Sequence, residues 1–171
     1  MKNSTRLIMA VAMLLLMIII YFCIQPDSAI ESLIKETDKS NPLSKYSEFI
    51  KEVEVNPKRS IILYYSEVGH LCCAVVDKNI LGYKVNRISS GVAPYNENLK
   101  VGFHWFSYNR GEDWVYYGII YDKGVAKATW YSVEATIFEH LNNKFLYAYG
   151  NSEFDGDVYR IYDSEGNELE N

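Results

Sequence analysis

The sequence predicts an α+β chain that is mostly antiparallel β, with about nine strands in a sandwich or a partly open, barrel-like sheet. Three observations predict it. From residue 60 onward the chain is rich in Tyr, Val, Ile, Phe and Trp, the types that fit a pleated, half-buried surface. Turn signals punctuate that part at roughly eight- to twelve-residue intervals, the spacing of short strands. Ahead of it stand one long apolar run and two stretches with helical spacing. A transmembrane helix and two short helices therefore precede a β domain at 59–171.

The apolar run is residues 7–24, LIMAVAMLLLMIIIYFCI, eighteen residues without a charge. As a helix it covers roughly 27 Å, close to the roughly 30 Å of a hydrocarbon core. Lys2 and Arg6 precede it, and Asp27, Glu31 and Lys35 follow. The positive-inside rule then puts a tip of residues 1–6 in the cytoplasm and everything from Gln25 outside. Tyr21 and Phe22 sit where interfacial aromatics anchor a helix end. A cleaved signal peptide is the rival reading. It needs small residues before the cut, and Ile20, Tyr21, Phe22 and Cys23 are bulky. A lipid-modified Cys23 also needs small residues before it, which Tyr21 and Phe22 are not. The run reads as an uncleaved, single-pass membrane anchor.

Residues 25–58 read as a helical stalk or as helices docked on the domain. Asp27 or Ser28 caps the first helix, whose apolar positions Ile30, Leu33 and Ile34 fall at i, i+3 and i+4. Asn41 and Pro42 open the second, with Leu43, Tyr46, Phe49, Ile50 and Val53 on one face. An isolated short amphipathic helix is marginal in water, so the stripes favour docking. Asn56 and Pro57 close this part.

Strands are expected at 61–66, 71–76, 82–88, 101–108, 114–121, 125–131, 134–139, 145–149 and 158–162. Gly69, Asp77 to Asn79, Asn109 to Gly111, Asp122 to Gly124, Leu141 to Lys144 and Asp163 to Asn167 punctuate them. Most of these turns are of hairpin length, so antiparallel neighbours are expected. The 71–76 strand is apolar on both faces, as a central strand is. Residues 89–100, SSGVAPYNENLK, form the longest irregular piece and the best candidate for a functional loop.

About 145 residues follow the anchor, one domain with room for a core. The chain has 17 basic and 22 acidic residues; with Lys2 and Arg6 on the cytoplasmic side, the outer part carries a net charge of −7. Such a bulk charge disfavours nucleic acid and polyanionic surfaces as partners. Outside the anchor the only cysteines are Cys72 and Cys73. Neighbours on a strand point to opposite faces, so these read as two small buried residues. They lack the C-x-x-C spacing of a redox pair and make a poor zinc site.

Catalytic and metal-binding patterns are weak. His70, His104 and His140 lie far apart without ligand spacing. A Cys73–His104 pair, or His104 with a carboxylate, would make a small hydrolase. No recognisable orienting group accompanies either arrangement. The acidic runs at 155–157 and 163–168 read as hairpin turns rather than calcium loops. Glu112 and Asp113 are adjacent and cannot flank a glycosidic bond. No cofactor and no metal is implied. Aromatics are the remaining signal: Trp105, Trp114, Tyr116 and Trp130 lie close in sequence on expected strands. Their flat faces suit a sugar, peptide or protein partner, while packing within strands is the plainer use.

WVYYGIIYDKGVAKATW at 114–130 and VYRIYDSEGNELE at 158–170, behind a short basic tip and an anchor, carry a resemblance. In this layout the chain resembles small membrane-anchored extracytoplasmic proteins of Gram-positive bacteria. The resemblance implies an outward-facing localisation and no activity. The expectation is a membrane-tethered β domain that binds a protein, a peptide or a wall component. The alternatives are a small extracytoplasmic hydrolase and an accessory subunit of a membrane complex.

Overall fold

The computed structural model describes Met9 and residues 11–15, 28–37, 39, 42–79, 82–151 and 159–171. Among these, the helix at Ala29–Thr37 lies on a stack of three antiparallel sheets. The elements are α1 (Ala29–Thr37), β1 (Tyr46–Asn56), β2 (Arg59–Ser66), β3 (Leu71–Asn79), β4 (Gly82–Val92), β5 (Val101–Tyr108), β6 (Asp113–Ile120), β7 (Lys127–Trp130), β8 (Val133–Glu134), β9 (Thr136–His140), β10 (Asn143–Gly150), β11 (Tyr159–Tyr162) and β12 (Glu168–Leu169). The first sheet is the meander β1-β2-β3-β4; the second runs β5-β6-β10-β9; the third runs β12-β11-β7-β8. None of the three closes on itself.

The layers follow from the period-2 alternation of strands. On β3, Leu71, Cys73 and Val75 face the second sheet, while Cys72, Ala74 and Val76 face α1. On β6, Val115, Tyr117 and Ile119 face the first sheet, while Trp114, Tyr116 and Ile120 face the third. The order of layers is therefore helix, first sheet, second sheet, third sheet. Two sheets are covered on both sides, which is why β3 and β6 are almost continuously apolar. Cys72 and Cys73 are free, buried, and on opposite faces.

Ser28 begins α1 with a reciprocal capping pair: Glu31 N–H donates to Ser28 Oγ at 3.2 Å, and Ser28 N–H donates to Glu31 Oε2 at 2.8 Å. Leu33 is fully buried against Ile62, Tyr64 and Cys72, and Ser32 Oγ donates to the Tyr83 carbonyl at 2.9 Å. The helix is thus docked on the outer face of the first sheet.

The expected second helix is corrected to strand β1. Its ladder with β2 shifts register at Tyr46/Glu48, at Phe49/Lys51 and at Glu54/Asn56. The shift after Phe49 moves the apolar set from one face to the other. Tyr46 and Phe49 pack toward α1, whereas Ile50, Val53 and Val55 join the core between the first two sheets. Residues 46, 49, 50 and 53 then mimic a helical stripe, although a bulged strand produced them. Each of the nine expected strands coincides in whole or in part with an observed one, the strand expected at 134–139 is split between β8 and β9, and β1 and β12 are added. The chain 125–131 enters β7 only at Lys127. Strand β4 runs on to Val92, so the candidate loop shortens to residues 93–100.

The expected anchor at 7–24 lies largely outside the described residues. Met9 and residues 11–15 are helical, and Met9, Val11, Met13, Leu14 and Leu15 are exposed. Among the described residues no helix is long and apolar enough to cross a membrane. The turn expected at 155–157 also lies outside the described residues.

Candidate functional site

The candidate site is a cleft at the end of the second sheet where β6 leaves it. Strand order brings three distant pieces together there. Pro94 and Tyr95 of the 93–100 loop form one wall, the β9–β10 turn forms the other, and the end of β6 forms the floor. The cleft encloses about 600 Å³ and is lined by Tyr95, Tyr121, Lys123, Glu139, Asn142 and Lys144 with Ile119 and Ile120 beneath. That volume is in the range of small-molecule sites. A second cleft of about 360 Å³ shares Tyr95 and Tyr121 and lies along Asn96 to Lys100 toward the C-terminal residues.

Tyr95 forms the partition. Its side chain is 70% exposed, and its ring meets Tyr121 edge-on with centroids 6.0 Å apart. Tyr121 is itself fixed, because its hydroxyl donates to the Ala93 carbonyl at 2.6 Å. Burial, the first cause, raises the Tyr121 phenol pKa, so the group stays a neutral donor. The loop's far end is held by the C-terminal residue. Val101 N–H donates to Asn171 Oδ1 at 2.7 Å, and Asn171 Nδ2 donates to the Val101 carbonyl at 3.0 Å. Asn98 N–H donates to Asn96 Oδ1 at 3.0 Å, the side-chain-to-backbone bond of an Asx turn.

The opposite wall is a two-residue hairpin turn. His140 pairs with Asn143, and Leu141 and Asn142 between them have φ of 47° and 65°. Two left-handed residues are what a twisted two-residue hairpin requires. Asn tolerates that region; Leu does not, and Leu141 is also 66% exposed. Lys144 stands opposite both Glu139 and Ile120 in the ladders, so the three share one face of the second sheet at its end.

The four aromatic residues expected to bind a ligand lie elsewhere. Trp114, Tyr116 and Trp130 are at most 1% exposed, inside the core between the second and third sheets. Tyr116 and Trp130 stack at 4.8 Å and 18°, and Trp105 lies 6.0 Å from Trp130, half-buried at the margin of the same core. Burial first, and neighbouring Tyr159 second, hold the Tyr116 phenol far above its ordinary pKa. In this structure these rings are packing groups. Only Trp105 keeps part of its surface open.

The hydrolase arrangement gains no support from the geometry. Cys73 is fully buried between the first two sheets, and burial pushes its thiol well above the ordinary value. A protonated, sealed thiol is neither nucleophilic nor reachable. His104 lies on the outer strand β5, edge-on to Tyr117 at 6.0 Å. Although His104 is exposed as a residue, the partial burial of its imidazole pulls its pKa down. Tyr117 in turn donates to Ser89 Oγ at 3.0 Å within the core. Among the described residues no cluster of three or more His, Cys, Asp or Glu side chains is placed to hold a metal ion. In the 163–167 turn, Asp163 Oδ1 accepts from the N–H groups of Glu165 and Asn167 at 2.9 Å each, so its carboxylate shapes the turn.

Of the candidate loop expected at 89–100, Pro94 and Tyr95 line this cleft; Lys123, Glu139, Asn142 and Lys144 were not among the expected site residues. Each sat in an ordinary turn or strand end. Only the order β5-β6-β10-β9 brings those turns to the loop. No protein-family model, curated protein or solved structure matches this chain.

Proposed function

We propose that the chain is a membrane-tethered binding domain displayed on the outer side, and that its ligand seats in the Tyr95 cleft. The observation that carries the reading is the exposure of Tyr95. A tyrosine 70% exposed on an irregular loop, beside a cleft of about 600 Å³, is a large, largely open apolar surface in a protein where, among the described residues, every Phe, Tyr or Trp other than Tyr95 and Phe103 is buried or half-buried. The uncharged run 7–24 with basic residues before it supports the tether and the outward orientation. The absence of a reachable nucleophile among the residues expected to carry one favours binding over hydrolysis.

A Tyr95→Cys variant tests display and exposure together. In intact cells a membrane-impermeant maleimide should label the new thiol, with wild type as the background for the three native cysteines. Labelling that appears only after lysis would remove the outward orientation. No labelling even after lysis would remove the exposed loop.

A further inference from the structure

We propose, resting on the assignment of the ligand to the Tyr95 cleft, that this ligand is a sugar bearing a carboxylate. The floor argues for a sugar over an extended peptide. Strand β6 is paired on both sides, by β5 and β10, so the floor offers a peptide no free edge for main-chain hydrogen bonds. The wall offers instead the flat, exposed ring of Tyr95 for stacking. Beside it lie the carboxamide of Asn142 and the carboxylate of Glu139, groups suited to hydroxyls.

Charge argues for the carboxylate. Lys123 and Lys144 line this cleft against the single acid Glu139, which stands directly across the ladder from Lys144, so the lining keeps an excess positive charge. Across the Tyr95–Tyr121 partition the balance reverses. There Glu97, Asp122 and Glu170 outnumber Lys100, whose ammonium is taken by the Glu170 carbonyl. An anion is thus favoured on one side of Tyr95 and repelled on the other. The chain's net charge of −5 opposes a long polyanion, whereas a single carboxylate meets the local positive field alone.

The test is isothermal titration of the full-length chain in a neutral detergent with N-acetylmuramic acid and N-acetylglucosamine. They share the ring and acetamide, and the first adds a lactyl carboxylate. The acidic sugar should bind at least ten-fold more tightly. A Lys123→Gln/Lys144→Gln double variant should bring it to the affinity of the neutral sugar, and added salt should narrow the gap. Equal binding of the two sugars, a preference that survives in the double variant, or binding of neither overturns the proposal. Equal binding that is lost in Tyr95→Ala would leave the cleft as the site and remove only the charge argument. Binding untouched by Tyr95→Ala would remove the cleft itself.

Discussion

Arg59 on β2 donates from Nη1 to Asp113 Oδ2 at the start of β6, at 3.0 Å, and so ties the first sheet to the second. The same guanidinium donates from Nε to Asp77 Oδ1 at 2.6 Å on β3 and lies over the Tyr108 ring, 5.0 Å from its centroid. Asp113 also accepts from Asn109 Nδ2 at 3.0 Å in the β5–β6 turn. One cation therefore serves two sheets and a turn. Arg59 and Asp113 side chains are each 19% exposed, so water satisfies neither fully. Arg59→Met should leave two part-buried carboxylates short of a partner and cost about 2 kcal/mol. Thermal melts of the full chain should show a fall of about 5 °C; an unchanged melt would mean the tie is ornamental.

Acid should act through Asp77. Burial raises its pKa, but hydrogen bonds from Arg59 and Asn86 outweigh that and leave it lowered. A carboxylate whose folded pKa lies below its unfolded one contributes stability above the unfolded pKa, near pH 4. That contribution is lost as pH falls through the folded value. Asp77→Asn should therefore be less stable than wild type at neutral pH, with the gap closing below about pH 4. Denaturant midpoints across pH measure it, and a gap that widens in acid would contradict the assignment.

Leu33 is the peg that holds α1. It is fully buried among side chains of β2 and β3. Leu33→Ala should cost about 2–5 kcal/mol, the range for a cavity that the surroundings cannot fill. Ser28→Ala, which removes only the cap, should cost about 1 kcal/mol. Denaturant unfolding ranks the two; equal costs would show that the helix is tethered rather than docked.

One substitution should stabilise. Leu141 occupies a left-handed position at φ 47° that its branched side chain disfavours. Leu141→Asn relieves a cost of roughly 1–2 kcal/mol and should raise the melting temperature by a few degrees. A lower melt would mean that the exposed leucyl side chain makes a contact worth more than the strain.

Cys72 and Cys73 should be silent thiols. Burial, the leading cause, raises Cys72 to about 11 and holds Cys73 well above the ordinary thiol value, and the two face different layers. At neutral pH iodoacetamide should leave both unmodified in the native chain and modify both in denaturant, read by peptide mass. Rapid native labelling of Cys73 would revive the hydrolase reading.

Strand existence was legible in the sequence because aromatic and β-branched runs alternate with turn residues. Asn109, Arg110 and Gly111, all at positive φ, are one such turn. The parity of Cys72 and Cys73 was legible too. Strand β1 was not, since its bulges give Tyr46, Phe49, Ile50 and Val53 the spacing of a helix. Two-residue strands such as β8 and β12 carry no period to read. The layering was hidden for a different reason. Parity shows that Trp114 and Tyr116 share a face, but not whether water or a third sheet covers it. The same gap made Trp130 look like a ligand platform and left Lys123 and Lys144 unnoticed.

The most direct measurement is the ligand-induced melting shift of wild type against Tyr95→Ala, both full-length in neutral detergent, across soluble wall-glycan fragments. Without ligand the two should melt within about 0.5 kcal/mol of one another, because the ring is exposed. At about 100 times its dissociation constant a bound fragment adds roughly 2.7 kcal/mol, a shift of several degrees. That shift is expected in wild type and should be lost in Tyr95→Ala. A shift retained in full by Tyr95→Ala would contradict it.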